Sequence, residues 1–332
     1  MLSEFEIIRR YFTRPTFHTV LGVGDDCALI RVAPGAELAV STDMLVSGCH
    51  FHADADPEKL GHKALAVNLS DMAAMGANPR WATLSLALPT ADEIWLTGFS
   101  RGFLRLAERY DVDLVGGDTT RGPLAICVQI MGEVSAGHAL RRDGAQPGDE
   151  VWVSGHLGDA ALLLAHLAHE ISLEPREVAA CLPRLHEPEP RVALGQALVG
   201  VARSAIDISD GLAADLGHIL ERSKVAAVVE LPRVPRSPVL DRHLPATVAL
   251  RALLSGGDDY ELCFTAPVER HGDVLRASDA ALIPVTRVGH IVPGSGLTVL
   301  DEGGRPVEID AGGWDHFGAN APAPGCVASG ES

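Results

Sequence analysis

Residues 56–77, DPEKLGHKALAVNLSDMAAMGA, decide the fold. Asp56 offers an N-cap, Pro57 suits a first helical turn, and Gly76 offers a stop. Between them Leu60, Ala64, Val67 and Asp71 follow i, i+4, i+7 and i+11. The spacing predicts a helix whose apolar stripe runs on into a carboxylate. A lone carboxylate facing a core is costly, so Asp71 needs an arginine or a cation beside it.

Outward from that helix, strand-like and helix-like stretches alternate. Residues 38–42 (LAVST) read as a short buried strand ending at Asp43. After the helix come a strand at 81–88 and a helix over about 91–110. A strand at 112–115 runs into Gly116-Gly117-Asp118-Thr119-Thr120, and 124–134 is a long β-branched strand. The turn-rich string DGAQPGD at 143–149 predicts a seam. Beyond it, strands at 150–154, 260–265, 285–292 and 297–300 are interleaved with helices over 158–170 and 211–222. Residues 172–191 are proline-rich with a helix-like middle.

The expected class is mixed α/β (α+β) in two domains. An N-terminal domain spans 1–142, a linker 143–149, and a C-terminal domain that completes the active site 150–318. A disordered tail is expected over 319–332, which has no apolar period. The 332-residue length agrees with two domains at ~150 residues each.

Charge and cysteine usage narrow the function. With 44 acidic against 27 basic residues the formal charge is −17, which disfavours nucleic acid as a partner. The six cysteines form no CxxC pair, so a structural zinc site is excluded, and reduced thiols in a cytoplasmic protein are expected. No run of 18 apolar residues exists to span a membrane, and the N-terminus does not read as a signal peptide.

The acidic residues gather where strands are expected to stop and helices to start. They include Asp25-Asp26, Asp43 after Ser41-Thr42, Asp71, Asp118 after Gly117, Asp207 and Asp210, and Asp258-Asp259. Each alone is ordinary turn or cap chemistry. Together, at strand ends of an α/β protein, they suggest a ligand site. Carboxylates with hydroxyls suit Mg²⁺ or Ca²⁺ and not zinc, and no 12-residue calcium loop is present. Mg²⁺ commonly brings substrate phosphates with it, so an acidic pocket of this kind fits a phosphate-rich ligand.

The familiar phosphate loops are missing. No GxxxxGK[ST] occurs, and GVGDDC at 22–27 lacks the third glycine of GxGxxG. HExxH and HRD are absent as well. His50-Phe51-His52 lacks a third zinc ligand nearby. Asp207-Ile208-Ser209-Asp210-Gly211 opens a helix, where free N–H groups can receive a phosphate or simply be capped. Arg142 could reach a phosphate, although on spacing alone a surface arginine explains it better.

The strings SEFEIIRRYF, GVGDDCAL, STDMLVSGCHF, KALAVNLSDMAAMGA, GGDTTRGPL, AIDISDGLAADLGHI, SGGDDYELCFT and GWDHF run from residue 3 to residue 317. In that order they resemble the thiamine-monophosphate kinase family, of the superfamily that includes aminoimidazole ribonucleotide and selenophosphate synthetases. The resemblance implies ATP-dependent phosphorylation of thiamine monophosphate to thiamine diphosphate with several Mg²⁺ ions. It also implies a homodimer paired through the N-terminal sheet. Carried over by motif, Asp26, Ser41, Thr42, Asp43, Asp71, Asp118, Asp207 and Asp210 are the expected metal set. Gly117, Asp118, Arg142 and Ser209 are the expected ATP contacts. His50, Asp258 and Trp314 fall where the family meets thiamine phosphate. Relatives can carry GGEDYEL where this chain has GGDDYEL, so the acidic group at Asp258 reaches one methylene less far.

No general base emerges, and none is implied. Two alternatives stay open at this point. One is a superfamily relative that uses ATP on another acceptor; the other is a non-catalytic Mg-nucleotide-binding protein.

Overall fold

The computed structural model describes residues 2–244 and 246–309. Two compact units make up the chain: residues 2–72 with 78–136, and residues 73–77 with 137–309. Residues 143–149 belong to the second unit, where Ala145 is buried. Trp314 and the 319–332 tail lie outside the described residues.

In the first unit a short helix α1 (Glu4–Ile7) precedes a small hairpin of β1 (Thr19–Leu21) and β2 (Leu29–Ile30). Four longer strands follow: β3 (Ala36–Val46), β4 (Asn78–Leu88), β5 (Asp113–Arg121) and β6 (Ala125–Ser135). They form one sheet in the order β3-β6-β4-β5, antiparallel except for the parallel β4–β5 pair. The helix α2 (Pro57–Ala74) links β3 to β4, and α3 (Glu93–Arg109) links β4 to β5. Asp56 caps α2 as its sequence predicts, accepting from the Glu58 amide at 2.8 Å. Glycines let the two helices touch: a Cβ on Gly61 would lie 2.1 Å from the Phe99 carbonyl, and one on Gly102 1.8 Å from that of Glu58. Every residue from 60 to 70 is buried, so α2 is an interior helix rather than one with a single apolar stripe.

The strands run further than their sequence suggests. β3 continues past Asp43 to Val46, and β5 passes through Gly116-Gly117-Asp118 to Arg121. Asp43 and Asp118 are therefore mid-strand residues, not strand ends. Pairing explains the extension, because Asp43 lies opposite Val128 and Asp118 opposite Ser85 in continuous register.

The second unit is built on β7 (Glu150–Ser154), whose bounds match the expected 150–154. After it come α4 (Asp159–Leu167), α5 (Pro175–His186), α6 (Val192–Leu198), β8 (Ser204–Asp207) and α7 (Leu212–Ser223). Next are β9 (Ala226–Glu230), α8 (Pro238–His243), α9 (Thr247–Ser255) and β10 (Leu262–Ala266). The described residues close with α10 (His271–Ala281), β11 (Val285–Val292) and β12 (Gly296–Leu300). The six strands lie in the order β12-β9-β11-β7-β10-β8, antiparallel except for β12–β9. Val151, Val153, Leu163, Ile206, Leu216, Leu253 and Cys263 are among its fully buried core.

Candidate active site

Three of the expected donors meet in the first unit. Ser41 and Asp43 are two apart on β3 and so share one face of the sheet. That face meets α2 at Asp71. Ser41 Oγ donates to Asp71 Oδ2 at 2.5 Å, and Asp43 is hydrogen-bonded to Asp71 as well. Two carboxyls can share a hydrogen bond only by keeping a proton between them. Burial, followed by the Asp71 charge, pushes Asp43 up to about 7. The Cys127 thiol nearby is also raised, by burial and then by the Asp43 charge.

Other expected donors lie apart from this cluster. Thr42 alternates to the opposite face of β3 and is exposed. Asp118 shares that opposite face, because its partner Ser85 alternates with the buried Leu84 and Leu86. Its Oδ1 accepts from the Thr119 amide at 2.9 Å. Asp26 stands in the exposed loop between β1 and β2, its amide donating to Asp25 Oδ1 at 2.9 Å. Among the described residues, no three His, Cys, Asp or Glu side chains converge as a ready-made metal site.

Gly117 has a structural reason of its own. Its φ is +142°, and a Cβ there would lie 1.8 Å from the Leu84 carbonyl in the β4–β5 pair. His50 sits in the turn after β3, where its Nδ1 accepts from the Val46 amide at 3.0 Å. Nδ1 then carries no proton, which leaves Nε2 as the protonated nitrogen.

The second unit gathers a different group. β8 ends at Asp207 and α7 begins after Gly211, so Ile208-Ser209-Asp210 forms a strand-to-helix turn. Gly211 takes φ +106°, and a Cβ on it would lie 2.7 Å from the Ser255 carbonyl carbon. Asp215, buried in the first turn of α7, accepts from the Ser209 and Asp210 amides at 3.1 and 3.0 Å. Burial raises Asp215 to about 7, against the lowering effect of those amides and of the Arg142 charge. That influence puts the exposed Arg142 guanidinium near the same turn.

The segment Gly257-Asp258-Asp259-Tyr260 docks on this turn. The Asp258 amide donates to the Ser209 carbonyl at 2.9 Å and the Tyr260 amide to the Ile208 carbonyl at 2.8 Å. Asp258 and Tyr260 both have left-handed backbones, φ +68° and +51°. Such positions cost of order 1–3 kcal/mol each and persist only where the surroundings impose them. Between them, buried Asp259 accepts the Gly158 amide on both oxygens, at 2.9 and 3.0 Å. Glu261, also buried, is held by Arg184, Arg191 and Ser154 at 2.5–2.7 Å.

Sequence reading had missed Asp215 and Tyr260. An acidic residue in a helix's first turn is a recognisable signal for Asp215. Nothing in a linear string signals Tyr260, whose position depends on the left-handed turn.

Comparisons with known proteins bear on both units. The AIR synthase related protein N-terminal domain matches residues 24–134, and the corresponding C-terminal domain matches residues 146–302. The chain is 48% identical over 320 residues to the thiamine-monophosphate kinase of Escherichia coli strain K12, covering 95% of this chain and 98% of that one. The crystal structure of thiamine-monophosphate kinase from Stenotrophomonas maltophilia K279a superposes with a TM-score of 0.81 at 45% identity. It covers 88% of this chain and 94% of that one. AaThiL complexed with AMPPCP and TMP superposes with a TM-score of 0.74 at 34% identity, over 89% and 92% of the two chains.

Proposed function

The chain belongs to the thiamine-monophosphate kinase family, and from that premise we propose that it phosphorylates thiamine monophosphate with ATP. A phosphate oxygen of thiamine monophosphate attacks the γ-phosphorus of ATP. The bond from that phosphorus to the β–γ bridging oxygen breaks, and thiamine diphosphate and ADP leave. The nucleophile is already ionised near neutral pH, because the second ionisation of a phosphate monoester lies near pH 6. No side chain has to remove a proton, which agrees with the lack of a general base in the sequence.

The obstacle is charge. Donor and acceptor are both phosphates, and the protein itself carries −17. In this chain the observation that carries the reading is the Asp43–Asp71 pair with Ser41 against it. Two carboxyls and a hydroxyl held together in a partly buried place form a hard-oxygen donor set that fits Mg²⁺. Bound there, Mg²⁺ would neutralise phosphate charge and stabilise the transferring group. The chain's part is to hold those oxygens in place, and Asp43 would give up its proton if the cation were bound there. Asp26, Thr42, Asp118, Asp207 and Asp210 are the further proposed donors, with substrate phosphates filling the remaining positions.

For the nucleotide, Ser209 and Arg142 are the proposed contacts in the second unit and Gly117 and Asp118 in the first. The turn that carries Ser209 is held from beneath by Asp215. His50, Asp258 and Trp314 are the proposed contacts to thiamine phosphate, with His50 offering its Nε2–H.

We further propose a homodimer in the cytoplasm. β3 is an 11-residue edge strand that exposes Leu38, Val40 and Met44, an unusual edge for a strand left unpaired. Cys27, Cys49, Cys127, Cys181 and Cys263 are all free thiols. Among the described residues no helix is long and apolar enough to cross a membrane.

The test is ADP release from ATP and Mg²⁺, with and without thiamine monophosphate, while thiamine diphosphate is followed by chromatography. Acceptor-dependent ADP with equal thiamine diphosphate is expected. ADP without the acceptor would move the reaction to another substrate, and nucleotide binding with no turnover would make the chain a binding protein.

A further inference from the structure

We infer that Tyr260 is a positioning residue for the acceptor, acting through the hydrogen bond its hydroxyl makes to Asp258. The inference rests on the proposed contact between Asp258 and thiamine phosphate, and it adds a residue to which no role is otherwise given.

The geometry begins with the backbone. Gly257 leaves no room for a side chain, since a Cβ there would lie 2.3 Å from the Ser209 carbonyl. The next three residues alternate: Asp258 left-handed, Asp259 buried and anchored on the Gly158 amide, Tyr260 left-handed. Both left-handed residues donate their amides to the 208–209 turn, so the backbone at 258 and 260 is fixed on either side. This alternation brings the two side chains together on one side of the segment, and Tyr260 Oη donates to Asp258 Oδ1 at 2.9 Å.

A bulky aromatic residue is a poor occupant of a left-handed position, where glycine or asparagine is at ease. The backbone contacts that hold residue 260 need only its amide, which any residue except proline supplies. The tyrosine ring therefore sits at a conformational disadvantage that the backbone alone does not require. The side chain adds a bond to Asp258. A carboxylate on a short side chain has freedom about χ1 and χ2, and a phenol on one oxygen fixes which way the other points. Asp258 is one methylene shorter than glutamate, so a fixed direction matters more to the donor group of a ligand that must reach it.

The experiment compares Tyr260→Phe, Asp258→Asn and the double variant by steady-state kinetics and thermal melting. Tyr260→Phe keeps the ring and removes only the hydroxyl. It is expected to raise KM for thiamine monophosphate about tenfold, the scale of one lost hydrogen bond to a charged group. KM for ATP and the melting temperature are expected to stay at wild-type values. The double variant is expected to match Asp258→Asn alone, because both changes act on one contact. If Asp258→Asn raises that KM while Tyr260→Phe does not, or the two effects simply multiply, the positioning role is overturned. It is equally overturned if Tyr260→Phe lowers the melting point and weakens ATP and acceptor alike, as a structural role would. If Asp258→Asn leaves KM for thiamine monophosphate unchanged, the contact itself is wrong, and the inference falls with it for that distinct reason.

Discussion

Asp43 on β3 and Asp71 on α2 are hydrogen-bonded to one another, with Ser41 Oγ donating to Asp71 Oδ2 from the same strand face. A fold gains nothing from placing two carboxyls together in a partly buried position; like charges and lost hydration both oppose it. The arrangement is a cost of folding that a divalent cation bound there would reverse. This turns the pair into a local test of the metal reading, separable from substrate chemistry.

Replacing Asp71 by Asn keeps the size and the hydrogen bonds to Ser41 and Asp43 while removing one charge. Turnover at saturating Mg²⁺ is expected to fall on the order of 100-fold, the scale of losing one stabiliser of transition-state charge. The metal-free melting temperature is expected to hold or rise. Near wild-type turnover would remove Asp71 from the metal set.

Stability against pH follows from the same groups. Asp43 and Asp215 are both raised to about 7, chiefly by burial. In the unfolded chain an aspartate titrates near ~4. Between those values the folded chain keeps protons that the unfolded chain has released, so stability falls as pH rises toward 7 and levels off above it. Glu177 works at the acid end. The Glu174 amide, Arg242 and His243 hold it down to about 2, so its contribution is present above ~4.5 and lost as pH falls toward 2. Metal-free melting is therefore expected to peak near pH ~5, to decline toward pH ~7 and to level off above it. Melts in chelator across that range check it, and Asp43→Asn should flatten the decline. A melting temperature that climbs from pH 5 to 8 would contradict the raised values.

Cation binding at the pair has a linked signature. If the cation binds at the pair, Asp43 would have to lose its proton for it to enter, so Mg²⁺ affinity is expected to weaken below pH 7, by up to about tenfold per unit. Calorimetry in two buffers of different ionisation enthalpy would register about one proton released per bound ion below that pH. Binding independent of pH would place the ion elsewhere.

The sequence made α2 legible because Asp56, Pro57 and Gly76 punctuate it, and β7 because turn residues bracket it. It also drew attention to Asp71, although the helix proved buried all round. What it could not carry was which face a strand residue occupies. Ser41, Thr42 and Asp43 are adjacent in the string, yet alternation sends Thr42 away from the other two. Asp118 is expected where the strand at 112–115 stops, whereas pairing with β4 keeps that segment extended. The short elements β8, β9, α6 and α8 offered too few residues for a period to emerge. The contacts of Asp215 and Tyr260 exist only once 208–211 and 257–260 have docked.

Gly117 separates a structural demand from a nucleotide contact. Its φ of +142° and the 1.8 Å approach to the Leu84 carbonyl leave no place for a methyl group. Gly117→Ala is expected to destabilise the chain by roughly 2–5 kcal/mol through strain and separation of β4 from β5. Urea denaturation without nucleotide checks this. Unchanged stability with a raised KM for ATP would mean that the glycine is there only for the ligand.

Asp215 gives the complementary case in the second unit, where a buried carboxyl supports a turn rather than touching a ligand. Alanine in its place strips the acceptor from the Ser209 and Asp210 amides, 3.1 and 3.0 Å away, while the Asp258 and Tyr260 amides still tie the turn's carbonyls. The turn then keeps its position but loses its shape on the amide side. A stability loss of about 1–3 kcal/mol is expected for the stranded amides. KM for ATP is expected to rise more than KM for thiamine monophosphate, since Ser209 is the proposed nucleotide contact. Asp215→Asn, which retains one acceptor oxygen, should recover most of the stability. Equal losses for both substrates in Asp215→Ala, with no recovery in Asp215→Asn, would show that Asp215 supports the whole unit and not this turn.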